Sequence, residues 1–278
     1  MDVLDHRLEE LECRLRELGS VLVAFSGGAD SAFLLAAAVR ALDPDNVVAA
    51  TAVSPSLAQQ ELPAARAFAQ SLGVRHLTPG TDELSREAYV ANGADRCFHC
   101  KATLLDTLIP LAEQHGLAHV ATGTNADDLV AGFRPGIAAA AERGAVTPLQ
   151  DFTKEQIRQA SALWGLTTAD KPALACLASR LAYGTAVTPE RLGRVDRAED
   201  ALRQLLQPRD VRVRDLGGDQ ARVELDPAAL ARWSEGAASV VRAEGFAVVS
   251  AREFRSGSMN ELLQITPTRP GAAATSLP

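Results

Sequence analysis

The sequence predicts an α/β protein in which a doubly wound parallel sheet is followed by a smaller C-terminal α+β domain. Short apolar runs alternate with helix-like segments over the first 185 residues, as in strands joined by crossover helices. Polar and glycine-rich stretches follow several of these runs, where ligands gather at the carboxyl ends of parallel strands. Beyond residue 188, two strands of alternating polarity stand between two helices, which is typical of an α+β unit.

The elements of the larger domain follow from hydrophobic period and from turn residues. Leucines at alternating four- and three-residue steps predict a helix over residues 2–18, and Cys13 beside that stripe is expected to be a small buried hydrophobe. Strands are predicted at residues 21–25, 47–53, 74–77 and 119–123, with helices to about residue 42, from 54 to 73, from about 101 to 115, and from 153 to 164.

A cluster of turn residues at 183–189 marks the boundary between the two domains. We therefore predict a larger domain over 1–185, a small α+β domain for substrate binding or oligomerisation over 186–262, and a disordered tail over 263–278. The small domain has a predicted helix to about residue 206, strands at 211–215 and 221–225 joined across two glycines, a helix over 226–244, and a strand at 247–254.

Composition limits the classes of partner. The formal charge is −7, with 28 basic and 35 acidic residues, which argues against broad nucleic-acid binding. Only three of the basic residues are lysines, and this bias is given no functional weight. The N-terminus lacks the order of charges and apolar residues of a signal peptide and no apolar run could span a bilayer, so we expect a cytoplasmic protein that binds no membrane. Its expected partners are a small-molecule nucleotide and further copies of the same chain, as a homo-oligomer.

The stretch Ser-Gly-Gly-Ala-Asp-Ser at residues 26–31 predicts a phosphate-binding turn between a strand and a helix. Its two glycines let the backbone approach a ligand, and N–H groups at the helix start point at an anion. Ser26 and Ser31 add hydroxyl donors, and Asp30, which would repel a bare phosphate, is expected to bind the Mg²⁺ of a nucleotide. The stretch resembles the PP-loop of the ATP pyrophosphatases, which have an adenine nucleotide alpha hydrolase-like fold. The structural alternative is a glycine-rich turn capped by Ser or Asp.

A second polar stretch follows the strand at 119–123 and is expected to meet the first turn in one crevice. Ribose, metal or a substrate carboxylate could be held there by Asn125, Asp127, Asp128 and Arg134. The alternative for Asn and Asp is helix capping and turn formation.

Three cysteines leave several chemistries open. Cys97 and Cys100 form a C-x-x-C pair that is compatible with metal binding, dithiol redox chemistry or chance. With Cys176, three thiolates can hold three irons of a [4Fe-4S] cluster and leave the fourth iron open. Zinc with His99 or Cys13 as a fourth ligand, and a free catalytic Cys176 beside an incidental pair, are the alternatives.

Five segments together resemble the LarE family of ATP-dependent sulfur transferases: residues 26–31, 123–128, 134–136, 176–180 and 211–217. The resemblance implies adenylation of a carboxylate of pyridinium-3,5-biscarboxylic acid mononucleotide, then sulfur attack that gives a thiocarboxylate, in the biosynthesis of the nickel-pincer nucleotide of lactate racemase. In some members the position of Cys176 is a sacrificial donor that becomes dehydroalanine. Others, like this chain, have two more cysteines and carry a [4Fe-4S] cluster whose open iron binds the transferred sulfide.

The resemblance and the residue types together give a set of expected site residues. ATP and Mg²⁺ are assigned to Ser26, Gly27, Gly28, Asp30, Ser31, Asn125 and Asp128; the substrate to Arg134, Ser179, Arg180, Glu199, Arg212 and Arg214; catalysis to Cys176; and the cluster to Cys97, Cys100 and Cys176. Arg212 and Arg214 share one strand face and fit a phosphate by bidentate bonds, the alternative being a solvated face of the sheet. Glu199 binds metal or substrate, or else pairs with a nearby arginine.

Two further functions remain as alternatives. A PP-loop tRNA thiolase also uses three cluster cysteines, but it needs a basic surface, which the net charge of −7 opposes. A non-catalytic nucleotide- or metal-binding module is opposed by the intact Asp30 and its two flanking serines.

Overall fold

Four short parallel strands form the central sheet. The structure is a computed structural model that describes residues 3–172, 175–255 and 257–259. The four strands are β1 (Val21–Ala24), β2 (Val47–Ala50), β3 (Arg75–Leu77) and β4 (His119–Ala121). Their order in the sheet is β3-β2-β1-β4, and every neighbouring pair is parallel. The predicted parallel sheet is confirmed, and the turns after β1, β2 and β4 lie side by side because these strands are neighbours.

Helices cover both faces of this sheet, because successive side chains of a strand point to opposite sides. Val21 and Val23 join one apolar core, whereas Leu22 and Val48 join another on the opposite face. The helices of this part are α1 (Val3–Leu18), α2 (Ala29–Ala41), α3 (Glu61–Ser71), α4 (Glu87–Val90), α5 (Arg96–Gln114), α6 (Ala126–Val130), α7 (Pro135–Glu142) and α8 (Lys154–Leu163). Burial on both faces explains why the two central strands, β1 and β2, consist entirely of valine, leucine and alanine.

A second, three-stranded sheet follows. Its strands are β5 (Val211–Asp215), β6 (Gln220–Leu225) and β7 (Val248–Glu253), and its helices are α9 (Pro189–Leu206), α10 (Pro227–Leu230) and α11 (Glu235–Ala243). β5 and β6 are an antiparallel hairpin across Gly217 and Gly218, and β7 pairs in parallel with β6. Tyr89 and Leu177, which precede this part in the chain, pack into its core. The boundary near residue 185 stays a prediction.

Three helix boundaries differ from the sequence prediction. α5 begins at Arg96 rather than near 101, so the cysteine pair lies in its first turn, and α3 begins at Glu61 because the residues after β2 form turns. The predicted helix over 226–244 is two helices. The reason is that Asp226 and Ser234 each cap a separate helix through the side chain.

Cys13 is exposed, so its expected burial was wrong. It lies between Leu11 and Leu15, which are buried, and a position halfway between them faces the outer side of α1. The predicted disordered tail lies outside the described residues. Among the residues that the structure describes, none of the helices is long and apolar enough to cross a membrane.

Candidate active site

The glycine turn after β1 is braced by its own serines. Ser26 Oγ and Ser31 Oγ lie 3.1 Å apart, and Ser31 Oγ also donates to Gly28 O over 3.1 Å. Gly27 has a φ of 73°, which favours glycine. Gly28 is the N-cap of α2 and no side chain caps the helix there. The turn is therefore not the side-chain-capped alternative, and the start of α2 is suited to an anion.

The end of β4 lies directly against this turn. A Cβ atom at Gly123 would lie 3.1 Å from Ser31 N and 3.2 Å from the Asp30 carbonyl carbon, so a larger residue would push the two loops apart. Asn125 caps α6 by accepting from Asp128 N over 3.0 Å. Its Nδ2 is buried near the Asp30 carboxylate, but among the described residues no acceptor lies within hydrogen-bond distance of it. A buried donor without a partner suits a phosphate or ribose oxygen.

Carboxylates and cations surround the turn. Burial raises the pKa of Asp30, although the charge of Lys154 opposes the rise. Asp128 accepts from Lys154 over 2.9 Å, and the half-exposed Arg134 lies 3.7 Å from the same carboxylate. An ionised carboxylate that burial destabilises gains from a bound cation, so these residues fit the Mg²⁺ of a nucleotide. Within the described ranges, no three His, Cys, Asp or Glu side chains are already arranged as a metal site.

All three lysines of the chain lie at this site. Lys171 Nζ donates to Gly27 O over 2.9 Å and to Glu61 Oε2 over 2.8 Å, which ties the turn to α3. Lys154 binds the second polar stretch, and Lys101, whose pKa is lowered by burial, lies at the cysteine pair. No local sequence pattern predicted a role for these residues. The available signal was the scarcity of lysine in a chain with 28 basic residues.

The three predicted sulfur ligands share one neighbourhood. Cys97 and Cys100 lie in the first turn of α5, and Cys176 precedes a short 3-10 turn, Leu177–Arg180. All three thiols are free. Burial raises the pKa of Cys100, and the neighbouring Cys176 raises it further. Three soft sulfur ligands without a disulfide fit the donor set of an iron–sulfur cluster.

Buried hydrogen bonds fix the backbone around Cys176. Leu177 N donates to Ser56 O over 2.9 Å, and Ser56 Oγ lies 2.5 Å from the hydroxyl of the fully buried Tyr89. Arg180 donates to Cys176 O over 3.2 Å. The loop after β2 therefore reaches the sulfur segment, as the strand order predicts. Tyr89 itself was not identified from the sequence.

A buried layer of arginine and glutamate lies on the other side of Cys176. Arg180 pairs with Glu199 over 2.9 Å and Arg214 with Glu224 over 2.8 Å. Arg212 and Arg214 are only 4% and 5% exposed, so the solvated-face alternative for these two is wrong. Burial, together with the charge of Arg180, lowers the pKa of Arg212 to about 10. Like charges held together out of water favour an anionic ligand.

The predicted substrate residues do not all lie together. Glu199 binds Arg180 and Arg203 and also accepts a backbone N–H of β5, so the arginine-pairing alternative describes it. Ser179 bridges the layer, since its carbonyl accepts from Arg214 and its hydroxyl from Arg180, each over 3.2 Å. Arg134 lies instead at the nucleotide turn.

Comparisons with known proteins agree with this architecture. The family model described as NAD synthase matches residues 5–97. An uncharacterized protein of Synechocystis sp. is 46% identical over 227 residues, which is 81% of this chain and 83% of that protein. The pyridinium-3,5-bisthiocarboxylic acid mononucleotide synthase of Lactiplantibacillus plantarum is 34% identical over 270 residues, 95% of this chain and 97% of that protein.

Proposed function

Because the chain belongs to the LarE family of PP-loop ATP pyrophosphatases, we propose that it is an ATP-dependent sulfur transferase that converts a carboxylate of pyridinium-3,5-biscarboxylic acid mononucleotide into a thiocarboxylate. The Lactiplantibacillus relative is named for the corresponding bisthiocarboxylic product. The observation that carries the proposal is that three regions lie next to one another: the nucleotide turn, the group of three thiols, and the buried arginine layer.

The nucleotide turn is suited to activate the carboxylate. A carboxylate is a poor electrophile, and joining it to AMP with release of pyrophosphate creates a good leaving group. The α2 N-terminus and the Asn125 amide would bind oxygens of ATP, and Lys171 holds the glycine turn in place. Asp30, with Asp128 nearby, would hold Mg²⁺, which would supply neutralisation of the phosphate charge.

The arginine layer is suited to the mononucleotide. Its phosphate requires charge-assisted hydrogen bonds, which guanidinium groups provide in pairs. Arg212 is suited to accept an anion, because burial and then the charge of Arg180 lower its pKa. The bonds of Ser179 to Arg180 and Arg214 bring this layer next to the sulfur segment.

The group of three thiols favours delivery of sulfur through an iron–sulfur cluster. A [4Fe-4S] cluster bound by three thiolates supplies an open iron that takes up sulfide. Cys97, Cys100 and Cys176 would hold it, and their common neighbourhood supports this assignment. Sacrificial transfer from Cys176 is the second candidate, and the exposure of that thiol favours it.

The experiment that tests the proposal compares Asp30→Asn with Asp45→Asn, a matched control on an exposed turn. Purified anaerobically and supplied with ATP, Mg²⁺, sulfide and the biscarboxylic mononucleotide, the wild type and the control should release pyrophosphate and form a product heavier by the exchange of oxygen for sulfur. Asp30→Asn should do neither, because the Mg²⁺ ligand is lost. Unchanged pyrophosphate release in Asp30→Asn would contradict the assignment of Asp30.

A further inference from the structure

Asn92, just before the cysteine pair, ties that region to the chain beyond Cys176. It is fully buried and has a left-handed φ of 56°. Its Nδ2 donates to Ala182 O and to Thr185 O, each over 2.8 Å, and its backbone carbonyl accepts from Gly184 N over 3.1 Å. Its remaining oxygen, Oδ1, accepts from Arg96 over 2.5 Å. Asn92 therefore orients Arg96 as well as joining two segments.

Arg96 extends from α5 between the two sulfur segments. Its NH1 donates to Ala178 O over 2.8 Å, two residues beyond Cys176. Its NH2 lies 4.0 Å from Cys97 Sγ, and the guanidinium lies 5.6 Å from the centre of the Tyr183 ring. One side chain thus contacts the residue that opens the pair and the turn that follows the third cysteine.

Within the described part of the chain, the charge of Arg96 lacks a carboxylate partner. The residue is 4% exposed, and among the described residues no carboxylate lies within 4 Å of its guanidinium. Arg180 and Arg214, which are equally buried, each bind a buried glutamate. A buried ion is costly unless an opposite charge compensates it. The nearby groups that can carry negative charge are the sulfurs of Cys97 and Cys176 and, at a much higher pH, the hydroxyl of Tyr183.

We propose that Arg96 is a positioning and charge-balancing residue for anionic sulfur held between Cys97, Cys100 and Cys176. This inference rests on the proposed function, in which those three thiolates hold a cluster. The guanidinium stabilises negative charge on the sulfur group, and it stabilises the reduced cluster more than the oxidised one because the reduced form carries one more electron. Its bond to Ala178 O holds the Cys176 turn against the first turn of α5.

Two substitutions separate charge from shape. Arg96→Gln removes the charge and keeps a hydrogen-bond donor, whereas Arg96→Lys keeps the charge and loses the planar fork. Arg86→Gln is the matched control, since Arg86 bonds Asp106 at the surface over 2.7 Å. Each protein is reconstituted anaerobically with ferrous iron and sulfide, checked for fold by circular dichroism, assayed for iron, and titrated with dithionite to obtain the midpoint potential.

We expect a more negative midpoint potential in Arg96→Gln, and potentials near the wild type in Arg96→Lys and Arg86→Gln. Loss of iron in a folded Arg96→Gln, with iron and the wild-type potential kept in Arg96→Lys, would equally support the charge role. An unchanged potential in Arg96→Gln, or loss of iron from both Arg96 variants while the fold is intact, would overturn it. A wild-type protein that takes up no iron would overturn the cluster in the proposed function, and this inference with it.

Discussion

Lys171 offers the sharpest test of how the nucleotide turn is held. Its ammonium group bonds both Gly27 O and Glu61 Oε2, and the two paired side chains are 19% and 12% exposed. Lys171→Met leaves the glutamate without its cation. Breaking one side of a buried pair costs about 3–5 kcal/mol, and a hydrogen bond to a charged group contributes about 1.5–3 kcal/mol. The partial exposure of this pair leads us to expect a loss of about 3 kcal/mol in the free energy of unfolding.

The effect on catalysis has a separate cause. Gly27 has a left-handed backbone, and Lys171 is the side chain that fixes its carbonyl. Without that bond the turn can shift relative to bound ATP, and a displacement of about 1 Å costs roughly 100-fold in rate. We therefore expect pyrophosphate release by Lys171→Met to fall by about that factor.

A double variant separates the two effects. Glu61→Gln combined with Lys171→Met removes both charges, so no unpaired ion is left buried and most of the stability should return. The Gly27 carbonyl still lacks its donor, so pyrophosphate release should stay low. Urea unfolding followed by circular dichroism measures the first quantity, and pyrophosphate release at saturating ATP measures the second.

Two results would refute this reasoning. Wild-type pyrophosphate release by the double variant would mean that Lys171 only neutralises Glu61. A wild-type urea midpoint in Lys171→Met would mean that the ion pair contributes nothing to stability.

The remaining predictions concern the substrate and the sulfur. Arg212→Ala should weaken binding of the mononucleotide by about 1.5–3 kcal/mol in calorimetric titration, with ATP affinity unchanged. A loss of ATP affinity instead would mean that the mononucleotide binds elsewhere. Arg214→Ala should also lower the urea midpoint, since it removes a buried charge-assisted bond to Glu224 worth about 1.5–3 kcal/mol, although Arg252 still pairs with that glutamate; an unchanged midpoint would contradict that. Cys97→Ala should lose iron and sulfur transfer together, while Cys13→Ala keeps both. Dehydroalanine at Cys176 after one turnover, with full activity in Cys97→Ala, would establish the sacrificial route.

The sequence predicts those parts of the site that depend on local backbone chemistry. The turn at Gly27 follows from residues that are adjacent in the chain, and so does the cap of α6 by Asn125. The strand order brings the two stretches together, because β1 pairs with β4. The hydrophobic periodicity of the sequence did not predict the residue at which α5 begins. The residues before it form turns that a hydrophobic pattern does not reveal.

The burial of the arginine face could not be predicted, because it depends on pairing between distant residues. Alternation along β5 separates the arginines from the valines, but it does not say which face meets solvent. The antiparallel register places Glu224 opposite Arg212, and Arg214 reaches the same glutamate diagonally. Arg96 and Lys171 were missed for a similar reason, since each acts on a backbone carbonyl far away in the chain.

The buried charges themselves argue that the arginine layer serves binding. Well-packed apolar residues would give a core at least as stable as these ion pairs, because taking charges out of water offsets most of their attraction. In this layer Arg180, Arg212 and Arg214 lie around two buried glutamates, and burial and then the charge of Arg180 lower the pKa of Arg212. An arrangement of that kind is under electrostatic strain until an anion enters, and a bound phosphate would relieve it. The energy released on binding would then hold the carboxylate next to Cys176, where the proposed sulfur transfer would take place.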